Sequence, residues 1–408
     1  MSDQPIREGA ESAEGVEGAS DSRMPTRRQV VLGAAFAVGA VALSSPLWHG
    51  LISSLAASPR PAVGVVAPPS TRYRDLLAQL EAGVRRGLAT GGRPDVSVVA
   101  RASANSAPSS VAVAARELIE RDKVDLVLVY ANPTQVDLLG ALSKSTGVPV
   151  VVVDPGAQIV TPAETDSRVL SHSLGHWQSS WSLGEWSVGA VGPKAHVISS
   201  LYESGFDILN AFDHGLTHAG GSVVGTSITH ARPGDIADAV RNAAASGADS
   251  IFVAASGHEA DDILHAIAKN KAASRLGLLV PGLSADRLAA ASGLSAFTAL
   301  TWPVAKRTAF EMLGEDVGAL VAAAVAGGRS ALPAGRTAMA GQRGDIQLDL
   351  ASGRTDVPVR IHSVTASGGT VTFTPLAAES NTSKATAFAD EIVPGLRTGW
   401  LDVYGGSM

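Results

Sequence analysis

From residue 62 onward, short apolar runs alternate with longer stretches of helical period. Ala62-Val63-Gly64-Val65-Val66-Ala67 is a β-rich run closed by Pro68-Pro69. Leu76, Leu77, Leu80 and Val84 then recur at helical spacing, which predicts a helix over 74–88. Strands are predicted at 96–100, 126–130 and 148–153, separated by helices over 109–121 and 133–145, the first capped by Ser109-Ser110. Leu126-Val127-Leu128-Val129-Tyr130 is continuously apolar, as suits a parallel strand covered on both faces.

The rhythm recurs further on. Helices are predicted at 178–191, 206–219, 236–245 and 259–269, and strands at 196–200, 223–229, 251–255, 276–280 and 297–302. Strands alternating with such helices make βαβ units with right-handed crossovers. The order β-α-β-α-β-α-β in 62–154 and again in 196–280 predicts an α/β protein of two Rossmann-like lobes. Beyond 340 the pattern changes. Residues 345–349 and 357–364 read as antiparallel strands around the turn Ala351-Ser352-Gly353-Arg354, and Ser367-Gly368-Gly369 turns into 371–373. The expected division is 62–172 plus 303–340 for lobe 1 and 177–298 plus 343–375 for lobe 2. Chain crossings near 170–178, 296–304 and 340–345 form a three-segment hinge, and 376–408 forms a weakly patterned tail.

The N-terminal segment has a different character. Residues 1–25 are acidic and rich in Gly, Ser and Glu, a composition that predicts disorder. Thr26-Arg27-Arg28-Gln29-Val30-Val31-Leu32 leads into an apolar run through Leu43. A basic pair before a modest apolar stretch reads as a secretory signal over 26–57, and Arg27-Arg28 resembles a bacterial twin-arginine signal. Ser54-Leu55-Ala56 offers small residues for cleavage. The alternative is a retained anchor, because 30–57 reaches the roughly 20 residues of a span although Ser44, Ser45, Pro46 and His49 interrupt it. Either way the protein is expected to be exported, to the periplasm or the outer face of the cytoplasmic membrane, with the twin-arginine machinery as a partner.

Composition then narrows the chemistry. Removing a signal from the 408 residues leaves roughly 350, enough for two domains, and 45% hydrophobic residues supply a core. The net charge of −6 argues against nucleic acid, whose phosphates need a basic face. With no Cys, disulfides, thiolate catalysis and Cys-ligated metals are excluded. Gly-x-Ser-x-Gly, Gly-x-Gly-x-x-Gly, a phosphate-cradling Gly-Lys-Ser loop and His-Glu-x-x-His are all missing, and His258-Glu259 has the wrong spacing for zinc. No enzyme activity, cofactor or metal is therefore expected.

Two histidine pairs, His172/His176 and His214/His218, have the four-residue spacing of one helix face but lack a third ligand. Aromatic residues are only 4% of the chain, so their clustering matters. Trp177, Trp181 and Trp186 fall together; core packing and a cleft wall are the two readings, with Trp177 and Trp302 near the lobe crossings as candidates for the wall.

Ligands of open α/β sheets bind beyond the carboxyl ends of the strands. There the chain places Tyr73, Asn132-Pro133-Thr134, Asp154-Pro155-Gly156-Ala157-Gln158, Leu201-Tyr202-Glu203-Ser204-Gly205 and Ser256-Gly257-His258. Over 62–375 the chain resembles the type I periplasmic binding proteins, in the leucine/isoleucine/valine-binding branch that serves ABC transporters. The resemblance rests on Tyr73 through Val84, on Val150-Val151-Val152-Val153-Asp154-Pro155-Gly156-Ala157, and on Leu201 to Gly205 followed by Ala219-Gly220-Gly221-Ser222-Val223-Val224-Gly225. Gly247-Ala248-Asp249 before a strand adds to it.

That resemblance implies a small polar ligand (an amino acid, an amide or a related solute) held between closing lobes and delivered to a membrane ABC permease. It implies contacts from Tyr73, Asn132, Thr134, Asp154, Ala157, Gln158, Tyr202 and Ser256. Asp154 stands where the family has Ser, Gln158 where it has Ser or Thr, and no acidic residue near Pro281-Gly282-Leu283 matches the one that meets the ligand's ammonium. A ligand sensor of the same fold reporting to a receptor, or an exported enzyme, are the alternatives.

Overall fold

The computed structural model describes residues 61–70, 73, 75–131, 135–159, 169–230, 232–283, 293–304, 307–327, 336–349, 353–367 and 370–376. The segment 1–25 expected to be disordered, the expected signal with Arg27 and Arg28, Asn132, Thr134 and the tail beyond Leu376 lie outside these residues.

The first lobe is built on β1 (Ala62–Ala67), α1 (Leu76–Thr90), β2 (Ser97–Ala102), α2 (Pro108–Glu120), β3 (Leu126–Tyr130), α3 (Val136–Thr146), β4 (Val150–Asp154) and β5 (Val169–Ser173). The second follows as α4 (His176–Ala190), β6 (Lys194–Ser200), α5 (Ile208–His218), β7 (Ser222–Thr229), α6 (Pro233–Ala245), β8 (Ser250–Ala254), α7 (Gly257–Lys269), β9 (Gly277–Leu279) and β10 (Ser295–Leu300). The chain then returns with α8 (Ala309–Gly327), β11 (Arg336–Gly341), β12 (Gly344–Asp349) and β13 (Arg354–Asp356), and ends with β14 (Arg360–Ser367) and β15 (Thr370–Pro375). The parallel parts of the two sheets run β5-β4-β3-β1-β2 and β10-β9-β8-β6-β7, the same doubly wound order. Each order reverses between its first and third strands, and such a switch point opens a crevice at the strand carboxyl ends.

The two-lobed α/β architecture is as expected, but the strands after 340 pair differently. Gly344–Asp349 does not form a hairpin with 357–364. β12 lies antiparallel between β11 and β13, and β13 joins β5 of the first sheet through Arg354 and Ser171. Only β14 and β15 extend the second sheet, through β10. The assignment of all of 343–375 to lobe 2 is therefore corrected, and the third crossing lies at 357–359 rather than 340–345. The physical reason is that β12 buries Ile346 and Leu348 in the first core, whereas β14 buries Val364 in the second.

The three crossings meet at Arg343, which is 0% exposed. Its guanidinium donates to Asp316 Oδ2 at 2.6 Å, to Ser173 O at 2.9 Å on the first crossing and to Thr301 Oγ1 at 3.4 Å on the second. Its carbonyl accepts from Arg360 Nη1 at 3.0 Å, beside the third. Thr301 in turn donates to Leu174 O at 2.6 Å.

Helices cover both faces of each sheet, and one helix pair in each lobe packs through glycine. In lobe 1, Gly83 and Gly87 of α1 face Gly314 and Gly318 of α8 at helical spacing. A Cβ on Gly87 would lie 2.1 Å from Glu315 O, and one on Gly318 would lie 2.3 Å from Val84 O. In lobe 2 the same device joins α4 and α5, where a Cβ on Gly215 would sit 2.0 Å from Trp181 O. The backbones touch, so even a methyl must push the helices apart. Gly87→Ala is expected to lower stability by about 1–3 kcal/mol, as overpacking of a tight contact does. Urea unfolding checks this, and a loss below about 0.5 kcal/mol would show that the seam yields.

Candidate functional site

A cavity of about 650 Å³ opens where the carboxyl ends of both sheets meet. Pro68, Ala131 and Asp154 follow or end β1, β3 and β4; Tyr202, Ser256 and Pro281 follow β6, β8 and β9; all of them line it. Of the residues expected at a ligand, Tyr73, Asp154, Ala157, Gln158, Tyr202 and Ser256 come together on this wall, and so does Trp302. Trp177 does not. It is 6% exposed in the second-lobe core with Trp181 and Phe212, because α4 is buried on several sides and its second residue turns inward. Its reading as a cleft wall is corrected.

Asp154 ends β4 and begins a tight loop. Its Oδ1 accepts from Gly156 N at 2.5 Å. Gly156 has φ 71°, and a Cβ there would lie 2.4 Å from Gly175 N, so the loop needs glycine. Backbone bonds stitch this loop to the first crossing: Leu174 N to Asp154 O at 3.0 Å and Trp177 N to Gly156 O at 2.8 Å. Beyond it, Ile159 N donates to Asp207 Oδ2 of the second lobe at 2.7 Å. The segment thus leaves lobe 1 and packs on lobe 2, carrying Gln158 between them.

Two polar side chains of this segment are buried with atoms left unpaired. Asp154 is 4% exposed and Gln158 is 3% exposed, yet Asp154 Oδ2 and both amide atoms of Gln158 have no hydrogen bond. Buried polar groups are ordinarily paired, so an unpaired set on a cavity wall is available to a ligand. Burial pushes the Asp154 carboxyl up to about 7, although the Gly156 N–H works in the other direction.

Sequence reasoning passed over several wall residues. Glu203, 7% exposed, receives the Ser256 hydroxyl at 2.5 Å. Tyr130 and Phe310 join Tyr73 in an edge-to-face cluster with ring centroids 4.9–6.4 Å apart. Phe206 lies 5.1 Å from Tyr202, and His176 lies 6.0 Å from Trp302. Tyr130 and Glu203 stand in the strand-end loops that the sequence marks but were not singled out for ligand contact, whereas Phe310 lies on a helix far along the chain. The structure also separates one histidine pair: His172 belongs to β5 and His176 begins α4, so they share no helix face.

The shifted Asp154 predicts a stability profile. Its value rises from the ordinary 3.8 to about 7 on folding, so the folded chain holds this proton more tightly. The associated stability is present below about pH 4 and is lost as pH rises to about 7. Asp154→Asn, which stays neutral, should be more stable than the parent at pH 8 by up to roughly 4 kcal/mol, with the gap closing toward pH 4. Paired urea unfolding at the two pH values measures it, and a parent at least as stable as the variant at pH 8 contradicts it.

Comparison with known proteins agrees with this arrangement. The profile of the periplasmic binding protein family matches residues 62–341. No curated protein matches the chain in sequence. Among solved structures, an ABC transporter substrate-binding protein from Sphaerobacter thermophilus superposes with a TM-score of 0.66 at 18% identity, covering 78% of this chain and 97% of that one. A solute-binding protein from R. palustris in complex with 4-hydroxybenzoate gives 0.60 at 19% identity, with 78% and 96% covered. A leucine-binding protein from Thermotoga maritima gives 0.56 at 17% identity, with 79% and 99% covered. With two doubly wound lobes, three crossings and a profile match over most of its length, the chain belongs to the periplasmic binding protein family, in its type I fold.

Proposed function

We propose that this protein captures a small solute in the cavity between its lobes, outside the cytoplasm, and passes it to a membrane ABC importer. The observation that carries this reading is a cavity of about 650 Å³ walled by both lobes, with Asp154 Oδ2 and both amide atoms of Gln158 buried and unpaired. A binding protein needs a few converging polar groups in an otherwise apolar cleft and no catalytic constellation. Family membership and neighbours that carry aromatic acids or are named for leucine support solute capture. The ligand in this reading has a compact apolar body and a polar head.

Only with the lobes together does one ligand touch Tyr73 and Asp154 on one side and Tyr202 and Ser256 on the other. Binding energy then selects the closed form, with the chain bending at the crossings. A thermal-shift screen of amino acids, amides, short peptides, amines and aromatic acids should identify at least one stabilising solute. Small-angle scattering with that solute should show a smaller radius of gyration than without it. A silent screen, or an unchanged scattering curve at saturation, counts against capture by closure.

Export through the twin-arginine route completes the proposal and rests on Arg27-Arg28 before the apolar run. Replacing both with Lys should hold the protein in the cytoplasm. Normal export of the double-Lys chain, measured by cell fractionation, would refute the route.

A further inference from the structure

We propose that the captured solute is a cation: an amine or other ammonium compound with an aromatic or similarly flat apolar body and no carboxylate of its own. This rests on the capture reading above and names the ligand class of that site. The carboxylates carry the first observation. Asp154 from the first lobe and Glu203 from the second are both almost fully buried, and both line the same cavity. Glu203 accepts from the Ser256 hydroxyl, which stands at the N-terminal end of α7. A buried carboxylate is costly unless an opposite charge or hydrogen-bond donors meet it.

The second observation is the lack of a spare cation. Among the described lining residues there is no lysine, and the one arginine, Arg307, is already paired with Glu315 and donates to Gln342 Oε1 at 3.1 Å. An anionic ligand would bring a further acidic group beside Asp154 and Glu203, with no unpaired guanidinium or ammonium among the described lining residues to receive it. A cation placed between them offsets both, and it draws the lobes together because the carboxylates belong to different lobes.

The aromatic wall is the third observation. Three of the chain's four tyrosines line the cavity, together with Trp302 and three phenylalanines. Ring faces attract ammonium groups and stack on flat apolar bodies. The unpaired Gln158 carbonyl supplies a further acceptor for an N–H donor, and its amide group a donor for any neutral acceptor on the body.

Isothermal titration with four probes of one skeleton tests this: 2-phenylethylamine, 3-phenylpropanamide, 3-phenylpropanoate and L-phenylalanine. The amine is expected to bind at least tenfold more tightly than the amide, and the propanoate not at all. Glu203→Gln, which keeps an acceptor for Ser256, should weaken the amine tenfold or more while its ligand-free melting curve stays cooperative. If that variant fails to fold, Asp154→Asn takes its place with the same expectation. Equal or tighter binding of the propanoate or of phenylalanine overturns the cationic class and leaves solute capture standing. Silence of all four also overturns the class, and capture itself falls only if the wider solute screen is silent too.

Discussion

The guanidinium of Arg343 ties two of the three chain crossings to the first lobe, and its backbone carbonyl accepts from Arg360 beside the third. Its partners are diverse: the Asp316 carboxylate, a backbone carbonyl, a hydroxyl and an imidazole. Burial and the neighbouring Arg343 charge lower the His172 value, so its ring is neutral. Nε2 then accepts from Arg343 at 2.8 Å and Nδ1 donates to Thr355 Oγ1 at 2.8 Å. This tautomer follows from the network, since arginine has donors only. Burial raises the Asp316 carboxyl, but the Arg343 guanidinium beside it outweighs this and holds it below its ordinary value. Such a cluster adds little net stability over an apolar one, yet it is unforgiving of losing a member, which makes it a device for fixing geometry.

The ligand cavity inherits that geometry. Thr301 passes a hydrogen bond to Leu174, and Leu174 passes one to the backbone of Asp154, so the loop that carries Asp154 and Gln158 is two bonds from the Arg343 cluster. The lobes themselves are stiffened where α1 meets α8 and α4 meets α5 at glycines, with backbone against backbone. The proposed closure would therefore bend the chain at the crossings. Close-packed lobes move as bodies, and a ligand that touches both of them converts contact energy into their relative position.

Charge and aromaticity act together in the cavity. The chain holds few aromatic rings, and those on the wall come from strand ends, a crossing, α8 and β15. Rings from such distant segments converge where the carboxyl ends of β1, β3, β4, β6, β8 and β9 open toward the same space. That common orientation follows from parallel strands joined by right-handed crossovers.

The alternation of apolar runs with helical stretches determined the two-lobed α/β fold, because burial on both faces of a parallel strand writes a continuous apolar run such as Leu126 to Tyr130. Position after a strand end marked the loops that reach the cavity, since that rule depends on local order alone, and the family resemblance singled out Tyr73, Asp154, Ala157, Gln158, Tyr202 and Ser256 within them, all of which line it. Tertiary structure decided the rest. Strands 344–349 and 354–356 read equally well beside either sheet, and their place was settled by the core that receives Ile346 and Leu348. Trp177 and Trp302 looked alike beside their crossings, but one is core and the other lines the cavity, because the facing of a side chain near a helix start depends on what packs around the helix. Phe310 and Arg343 act at places set by segments more than a hundred residues away, and periodicity records only that a residue is buried, never against which partner.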